Sequence, residues 1–298
     1  MPVEPTGQDK VRIKLGDVQE SLLMPLWSRA NMTKQNSPLI RDQKALEIIS
    51  RIDYDFSDFE RRFPFRNNLL NVVRAKHFDD KIRSFIITHP RASIINIGAG
   101  LDTTLYRIDN GSIQWYDLDL PDVMELRRQL IPQSERVHPV SSSMFDPSWY
   151  QSVDRTVEGI FAICGGVLFY YNESEVKNFL TMFADNLPGA EIVFDSVSRL
   201  GAFLANRAIK RTGMKKAVVR WSLKDARIVS GWDKRLRVVD QFPFFQGIPR
   251  DPSWGKGIRR FMDSTDKHRI SNIVHLQASP LNSHSGPAPE DYDGAAKR

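Results

Sequence analysis

The residues whose spacing best suits ligand chemistry are two glycines that follow an apolar run. Gly98 and Gly100 come directly after the run Ser93–Ile97 and precede a segment compatible with a helix. A strand that ends in such a turn lets the backbone approach a ligand without obstruction by a Cβ atom. The pattern predicts a nucleotide-type site, although a purely structural turn gives the same pattern.

The two residues that follow Leu101 indicate which kind of nucleotide would fit. The dinucleotide fingerprint has a third glycine where this chain has Thr103, and it places a pyrophosphate where Asp102 would repel it. S-adenosylmethionine carries a sulfonium and an α-ammonium and no phosphate, so it is compatible with a carboxylate here. Asp102 could also cap the following helix, and the two roles can coexist.

Two carboxylates end the next apolar run. Asp117 and Asp119 lie about 20 residues after the glycines, where an acidic side chain binds a ribose diol. Alternation along a strand puts both on the same side, so the spacing does not separate them. Either could instead cap the helix that begins near Asp122.

The sequence shows no Asp-His or Lys-Asp arrangement that identifies a general base. His77, His268 and His275 are candidates, but a single histidine more often has a structural role, and the catalytic residue is therefore unassigned. The one cysteine, Cys164, excludes an intrachain disulfide and a multi-cysteine zinc site, so no metal is predicted.

Composition predicts one globular domain that is soluble and cytoplasmic. Of the 298 residues, 41% are hydrophobic and 26% charged, which is ordinary for a chain with a sizeable core. The net charge of +6 is mild, and no aromatic residues interleave with the basic groups as in a nucleic-acid-binding surface. No apolar run reaches the length of a signal core or a membrane span.

The apolar spacing predicts an N-terminal helical cover, residues 18–90, before an open α/β sheet. Helices are expected in the cover at 18–30, at 44–49 after a cap at Asp42, and at 68–88. Short apolar runs then alternate with helical segments, which is typical of parallel βαβ units. The predicted strands are 93–97, 113–118, 136–140, 157–163, 190–195, 236–242 and 270–276, and the predicted helices between them are 123–130, 173–186, 200–211 and a short one near 257–262. Residues 1–17 are expected to be flexible and 278–298 disordered, because they contain few apolar residues.

Several motifs occur in the order found in the leucine carboxyl methyltransferase family, and residues 18–277 resemble its branch of polyketide O-methyltransferases. These motifs are Ser21–Ala30, Arg74–Asp79, Asn96–Thr104, Asp117–Pro121 and Gly166–Tyr170. The resemblance implies the Rossmann-like class I methyltransferase fold, mostly parallel with an antiparallel last strand. It also implies S-adenosylmethionine as cofactor and a small-molecule acceptor, a carboxylate or hydroxyl of a polyketide-like secondary metabolite, with neither nucleic acid nor membrane as partner.

The resemblance also implies a role for individual residues. Arg74 would bind the methionine carboxylate, a task that suits a bidentate guanidinium, and Arg29 would assist it. Gly98 and Gly100 would admit the methionine backbone, and Asp119 would bind the ribose. The adenine would meet Ser143 and Met144.

One departure from the family limits the substrate. Members that act on a protein carry Glu where this chain has Gly165, which argues against the phosphatase-directed subfamily and leaves that cofactor contact open. Some aromatic residues could line an apolar acceptor pocket, although most are expected in the core: Trp27, Phe169, Tyr170, Phe203, Trp221, Phe244 and Phe245.

Two alternative functions stay open. One is a nicotinamide-dependent oxidoreductase, which Thr103 disfavours, and the other is a noncatalytic RNA-binding or interaction protein on the same fold.

Overall fold

Four helices form the N-terminal cover. The computed structural model describes residues 10–13, 19–62, 64–212 and 218–279. The helices are α1 (Gln19–Lys34), α2 (Gln43–Arg51), α3 (Phe59–Arg62) and α4 (Phe65–Thr88), and α1 packs against α2 and α4. The predicted cap of the second helix is confirmed, because Asp42 Oδ1 accepts the backbone N–H of Ala45 at 2.9 Å.

Seven strands form one sheet, and the predicted fold class is confirmed. The strands are β1 (Ser93–Ile97), β2 (Gln114–Asp119), β3 (Val137–Ser141), β4 (Ile160–Cys164), β5 (Glu191–Val197), β6 (Leu236–Pro243) and β7 (Ser271–Ala278). Their order is β3-β2-β1-β4-β5-β7-β6; the first five pair in parallel, and β7 runs antiparallel to both β5 and β6. The largest difference from the predicted strand starts is at β4, which begins at Ile160 rather than at Val157.

Within the described ranges, six further α-helices lie between the strands. They are α5 (Leu105–Ile108), α6 (Pro121–Leu130), α7 (Glu173–Asn186), α8 (Arg199–Thr212), α9 (Arg227–Trp232) and α10 (Gly255–Lys267). The sequence did not predict α9, and it indicated α5 only as a helix-compatible segment, because both are too short to show a helical period.

Both faces of the sheet are covered, and this places its functional edge. All five residues of β1 are buried; Ile94 packs with residues of α4, and Ile95 with residues of α7. Parallel strands in such a sheet bring their carboxyl ends to one edge, where ligands bind. Along α4, Phe85 lies against Gly159 before β4, and Arg74 lies against Gly166 after it. Arg74 is therefore at the carboxyl edge.

The chain ends are only partly described. Val11 pairs with Ile52 in a parallel bridge, and Ile13 is buried, so residues 10–13 pack against the cover. The rest of the segment predicted to be flexible lies outside the described residues, as do residues 280–298 of the predicted disordered tail. The predicted start of that tail at 278 is wrong, because Ala278 ends β7 and Ser279 is buried. No helix in the described ranges is both long and apolar enough to span a membrane.

Candidate active site

The glycine turn, residues 98–102, requires glycine for both backbone and packing reasons. Gly98 and Gly100 have φ angles of 70° and 47°, in the left-handed region that L side chains rarely adopt. A Cβ atom on Gly98 would lie 2.5 Å from Cγ2 of Val167, and one on Gly100 would lie 2.9 Å from Cδ2 of Leu22. The turn therefore fits closely between the loop after β4 and helix α1.

The two carboxylates at the end of β2 have different environments, which the sequence could not distinguish. Asp119 faces the glycine turn: its Oδ2 accepts the N–H of Gly100 at 2.7 Å, and its Oδ1 accepts the N–H of Leu120 at 2.7 Å. Burial raises the pKa of Asp119, and those two N–H groups oppose the rise. Neither carboxylate caps α6, whose N-cap residue is Leu120.

Asp117 is buried and forms its hydrogen bonds within the protein interior instead. Its Oδ2 accepts from Nε and Nη2 of Arg127 at 3.0 and 2.7 Å, and its Oδ1 accepts from Trp115 and Asn96. The same Arg127 donates to the carbonyl oxygens of Gly100 and Asp102 at 3.1 and 2.8 Å. Asp117 therefore positions Arg127, and Arg127 fixes the glycine turn from beneath.

Asp102 is an ionised carboxylate at the end of the glycine turn. Its Oδ2 accepts the N–H of Thr104 at 3.0 Å, and its Oδ1 lies 3.7 Å from Nη1 of Arg29. Burial would raise the pKa of Asp102, but Arg29, Arg107 and the Thr104 bond together lower it to about 2. Its side chain remains 22% exposed. Asp102 thus combines a fixed negative charge with access to a ligand.

Arg29 has other partners than the resemblance implies. Its Nε donates to Oδ2 of Asp42 at 2.9 Å and its Nη2 to the carbonyl of Leu101 at 3.0 Å, and the side chain is only 4% exposed. Its guanidinium thus lies behind Asp102, at the junction of the cover and the glycine turn.

Arg74 is anchored to the sheet by a carboxylate on β5. Its Nη1 donates to Oδ2 of Asp195 at 3.2 Å, and its Nη2 donates to Asn71 at 3.1 Å. Oδ1 of Asp195 also accepts the N–H of Gly166 at 2.7 Å. A Cβ on Gly166 would lie 2.8 Å from Nη1 of Arg74, and one on Gly165 would lie 2.6 Å from Cε2 of Phe78. Gly165, which departs from the protein-directed pattern, and its neighbour Gly166 therefore make room for α4 and for Arg74.

The loop after β3 brings Ser143 and Met144 near the end of β2. The N–H of Ser142 donates to the carbonyl of Asp119 at 3.0 Å, Ser143 is half-buried, and Met144 is buried. The structure thus gathers Arg74, Gly98, Gly100, Asp102, Asp119, Ser143 and Met144 along the carboxyl edge of β1 to β5, with Arg29 behind them.

The histidines considered as bases bond elsewhere. His77 lies against the carbonyl of Phe244, and burial lowers its pKa. His275 pairs with Glu191 at the amino end of β5, and His268 bonds Ser264 on α10. Within the described ranges no group of three His, Cys, Asp or Glu side chains could hold a metal ion.

Most of the aromatic residues considered for an acceptor pocket are core residues. Trp27, Trp221, Phe244 and Phe245 are buried, whereas Phe203 on α8 is 63% exposed. Phe169 and Tyr170 are half-buried in the loop after β4, next to the turn that seats Arg74. These two are the aromatic candidates that lie at the functional edge.

The buried partners that orient the site could not be predicted from the sequence. They are Asp79, Arg107, Arg127 and Asp195, and Asp42 was predicted only as a helix cap. Sequence spacing carries no signal for pairs such as Arg74 with Asp195, because the partners are far apart in the chain. Asp117 and Arg127 are the closest of these pairs in sequence, ten residues apart. Even so, one lies on a strand and the other on a helix, so no local period relates them.

The sheet order, the glycine turn and the acidic end of β2 together define a methyltransferase that uses S-adenosylmethionine. The profile described as leucine carboxyl methyltransferase matches residues 23–184. The chain belongs to the leucine carboxyl methyltransferase family, and its cofactor is S-adenosylmethionine.

Two relatives agree with this, and one solved structure shares the fold. The chain is 28% identical over 267 residues to the tetracenomycin polyketide synthesis O-methyltransferase TcmP of Streptomyces glaucescens, covering 87% of this chain and 97% of that protein. It is 27% identical over 216 residues to the S-adenosyl-L-methionine-dependent methyltransferase dpfgK of Gibberella zeae, covering 66% and 72%. In fold it is similar to a DUF574 family protein from Streptomyces avermitilis, with a TM-score of 0.55, 14% identity and coverage of 78% and 94%.

Proposed function

We propose that this methyltransferase transfers a methyl group to an oxygen of a small-molecule acceptor, and that the acceptor is a carboxylate on a polyketide-like metabolite. The similarity to TcmP, an O-methyltransferase of polyketide synthesis that this chain matches over 97% of its length, supports the acceptor class. Gly165 supports a small molecule over a protein, because it stands where protein-directed members carry a glutamate.

The charges at the carboxyl edge fit the two charged groups on the α-carbon of the cofactor's methionine part. Arg74, which is 17% exposed, offers a guanidinium to the methionine carboxylate, and Asp102 offers a carboxylate to the α-ammonium. The glycine turn admits the methionine backbone, and Asp119 accepts the ribose hydroxyls. Ser143 and Met144 would contact the adenine. Arg74 and Asp102 thus support an orientation of the cofactor, and the similarity to TcmP is the observation that carries the proposed acceptor class.

The protein's task in the transfer is alignment. S-adenosylmethionine supplies a methyl carbon already activated by the sulfonium, so the site must hold the acceptor oxygen at about 3 Å in line with it and exclude water. A carboxylate, with a reference pKa of about 4, is ionised at pH 7, whereas a phenol, at about 10, needs a base.

The arrangement around the edge favours the carboxylate. His77, His268 and His275 bond elsewhere, and burial raises the pKa of the nearby Tyr170, which disfavours it as a base. A hydroxyl acceptor is the second candidate. Because these histidines and Tyr170 do not serve as a base, the hydroxyl would have to enter the site already ionised.

Transfer of labelled methyl from S-adenosylmethionine into a metabolite extract tests the proposal. The labelled product should be the methyl ester of an apolar acid, and it should lose its label on mild base treatment. A label that survives base treatment would identify an ether and the hydroxyl alternative. Label found only in protein would refute the small-molecule proposal. Asp119→Ala serves as the control, and at limiting S-adenosylmethionine it should label the product about tenfold more slowly or less.

A further inference from the structure

A buried ion network joins the N-terminal cover to the glycine turn. Oδ2 of Asp42 accepts from Nε of Arg29 at 2.9 Å, from Nη1 of Arg107 at 2.7 Å and from Oγ1 of Thr103. Arg107 also forms a two-pronged bond to Asp79 at 2.7 and 2.8 Å. The side chains of these four charged residues are at most 6% exposed. The network is therefore screened little by solvent.

The charges in this network do not balance. Two guanidiniums, on Arg29 and Arg107, face three carboxylates, on Asp42, Asp79 and Asp102. The first two carboxylates accept bonds of 2.7 to 2.9 Å from a guanidinium, whereas Asp102 lies 3.7 Å from its nearest one. Asp102 is also the carboxylate with an exposed side, so the uncompensated negative charge is accessible from the site.

We propose that Asp42 is a positioning residue for the cofactor: it holds Arg29 and Arg107 in place and keeps the network one charge negative, so that Asp102 binds the α-ammonium. The inference rests on the proposed assignment of Asp102 to that ammonium. Asp42 itself touches no cofactor atom in this scheme. It acts from the start of α2, and the cover thereby contributes to cofactor affinity through charge.

Asp42→Asn tests the charge while the helix cap is retained, and a comparison of two ligands separates the lost charge from the loss of the bonds that Oδ2 accepts from Arg29, Arg107 and Thr103. Asparagine is as good a helix cap as aspartate, so Oδ1 can still accept the N–H of Ala45. The substitution removes one negative charge and leaves the network neutral. Two ligands read out the effect: S-adenosylhomocysteine and its deaminated analogue, which differ only in the ammonium.

The expected result is a selective loss. Asp42→Asn should weaken S-adenosylhomocysteine by about tenfold in calorimetry and leave the analogue within about twofold of wild type, since charges in a buried network interact strongly. Asp79→Asn removes a negative charge from the far end of the same network, without touching Arg29 or the cap, and should give the same selective loss. It provides the test if Asp42→Asn does not fold.

Asp233→Asn is the matched control. Asp233 pairs with Arg235 at 2.6 Å and is mostly buried, but the pair lies between α9 and β6. This variant should bind both ligands as wild type does, and thermal unfolding should be measured for all variants. Equal loss of both ligands in Asp42→Asn, or no loss of either, overturns the role of Asp42. Equal binding of both ligands by the wild type overturns the assignment of Asp102 as well.

Discussion

Oδ2 of Asp119 accepts the backbone N–H of Gly100 at 2.7 Å, so the end of β2 and the glycine turn after β1 form one unit. Both backbone N–H groups of residues 98 and 99 also donate to the carbonyl of Leu118. Adjacent parallel strands thus fix the turn from one side, and Arg127 fixes it from beneath. A carboxylate held in this way needs no rearrangement to receive a diol, which lowers the entropic cost of binding.

Asp119→Ala should therefore lower cofactor affinity, whereas Asp117→Ala should lower the stability of the fold. We expect Asp119→Ala to remain folded and to lose cofactor affinity by about tenfold or more, because it removes an acceptor at the partly exposed edge. Asp117→Ala should lower the free energy of unfolding by about 3 to 5 kcal/mol, since it leaves Arg127 buried and unpaired. Calorimetry and denaturant unfolding measure the two effects. Unchanged affinity in Asp119→Ala would transfer the ribose assignment to another residue.

Gly166→Ala should impair the cofactor site by displacing Arg74. The new Cβ would lie 2.8 Å from the guanidinium, which must then move away from Asp195. Gly189→Ala is a matched control, because Gly189 also has a positive φ, 89°, and a Cβ added there would meet nothing within 4 Å. Both variants should lose about 1 to 2 kcal/mol of stability from backbone strain. Only Gly166→Ala should also raise the dissociation constant for S-adenosylmethionine, and an equal rise in both would contradict the role of Arg74.

The ionised Asp102 should give a pH-dependent component of stability. Its pKa is about 2 in the folded protein and 3.8 in the reference state, so its contribution is complete well above pH 3.8 and is lost as the pH falls toward 2. At neutral pH this contribution is about 2 kcal/mol. The difference in unfolding free energy between wild type and Asp102→Asn should shrink by this amount between pH 6 and pH 2. A difference that is constant over this range would show that Asp102 is not held ionised by its neighbours.

Arg127→Lys should weaken the cofactor site while retaining a positive charge beside Asp117. Lysine cannot reproduce the fork that joins Asp117 to the carbonyls of Gly100 and Asp102. We expect cofactor affinity to fall by about tenfold. The corresponding change Arg136→Lys, at a more exposed pair with Asp109, should leave affinity unchanged. Equal affinity in both variants would show that the glycine turn keeps its shape without Arg127.

The sequence by itself determined the periodic elements and the kind of cofactor. Buried strands and amphipathic helices leave a regular apolar spacing, which is why β1 and α7 were predicted to the residue. Gly98, Gly100 and Asp102 lie within one turn, so local spacing was enough to disfavour a pyrophosphate. What spacing could not do was separate Asp117 from Asp119, which alternate to the same side of β2.

Only the tertiary structure decided how those residues are used. Arg127 comes from α6 and takes Asp117 into the interior, which leaves Asp119 to face the glycine turn. Asp42 and Arg107 are 65 residues apart in the chain and still form a bond of 2.7 Å. Such pairs depend on which helix the fold lays against which strand. Buried guanidiniums and carboxylates are stable only when they meet, and that meeting is a property of packing rather than of local sequence.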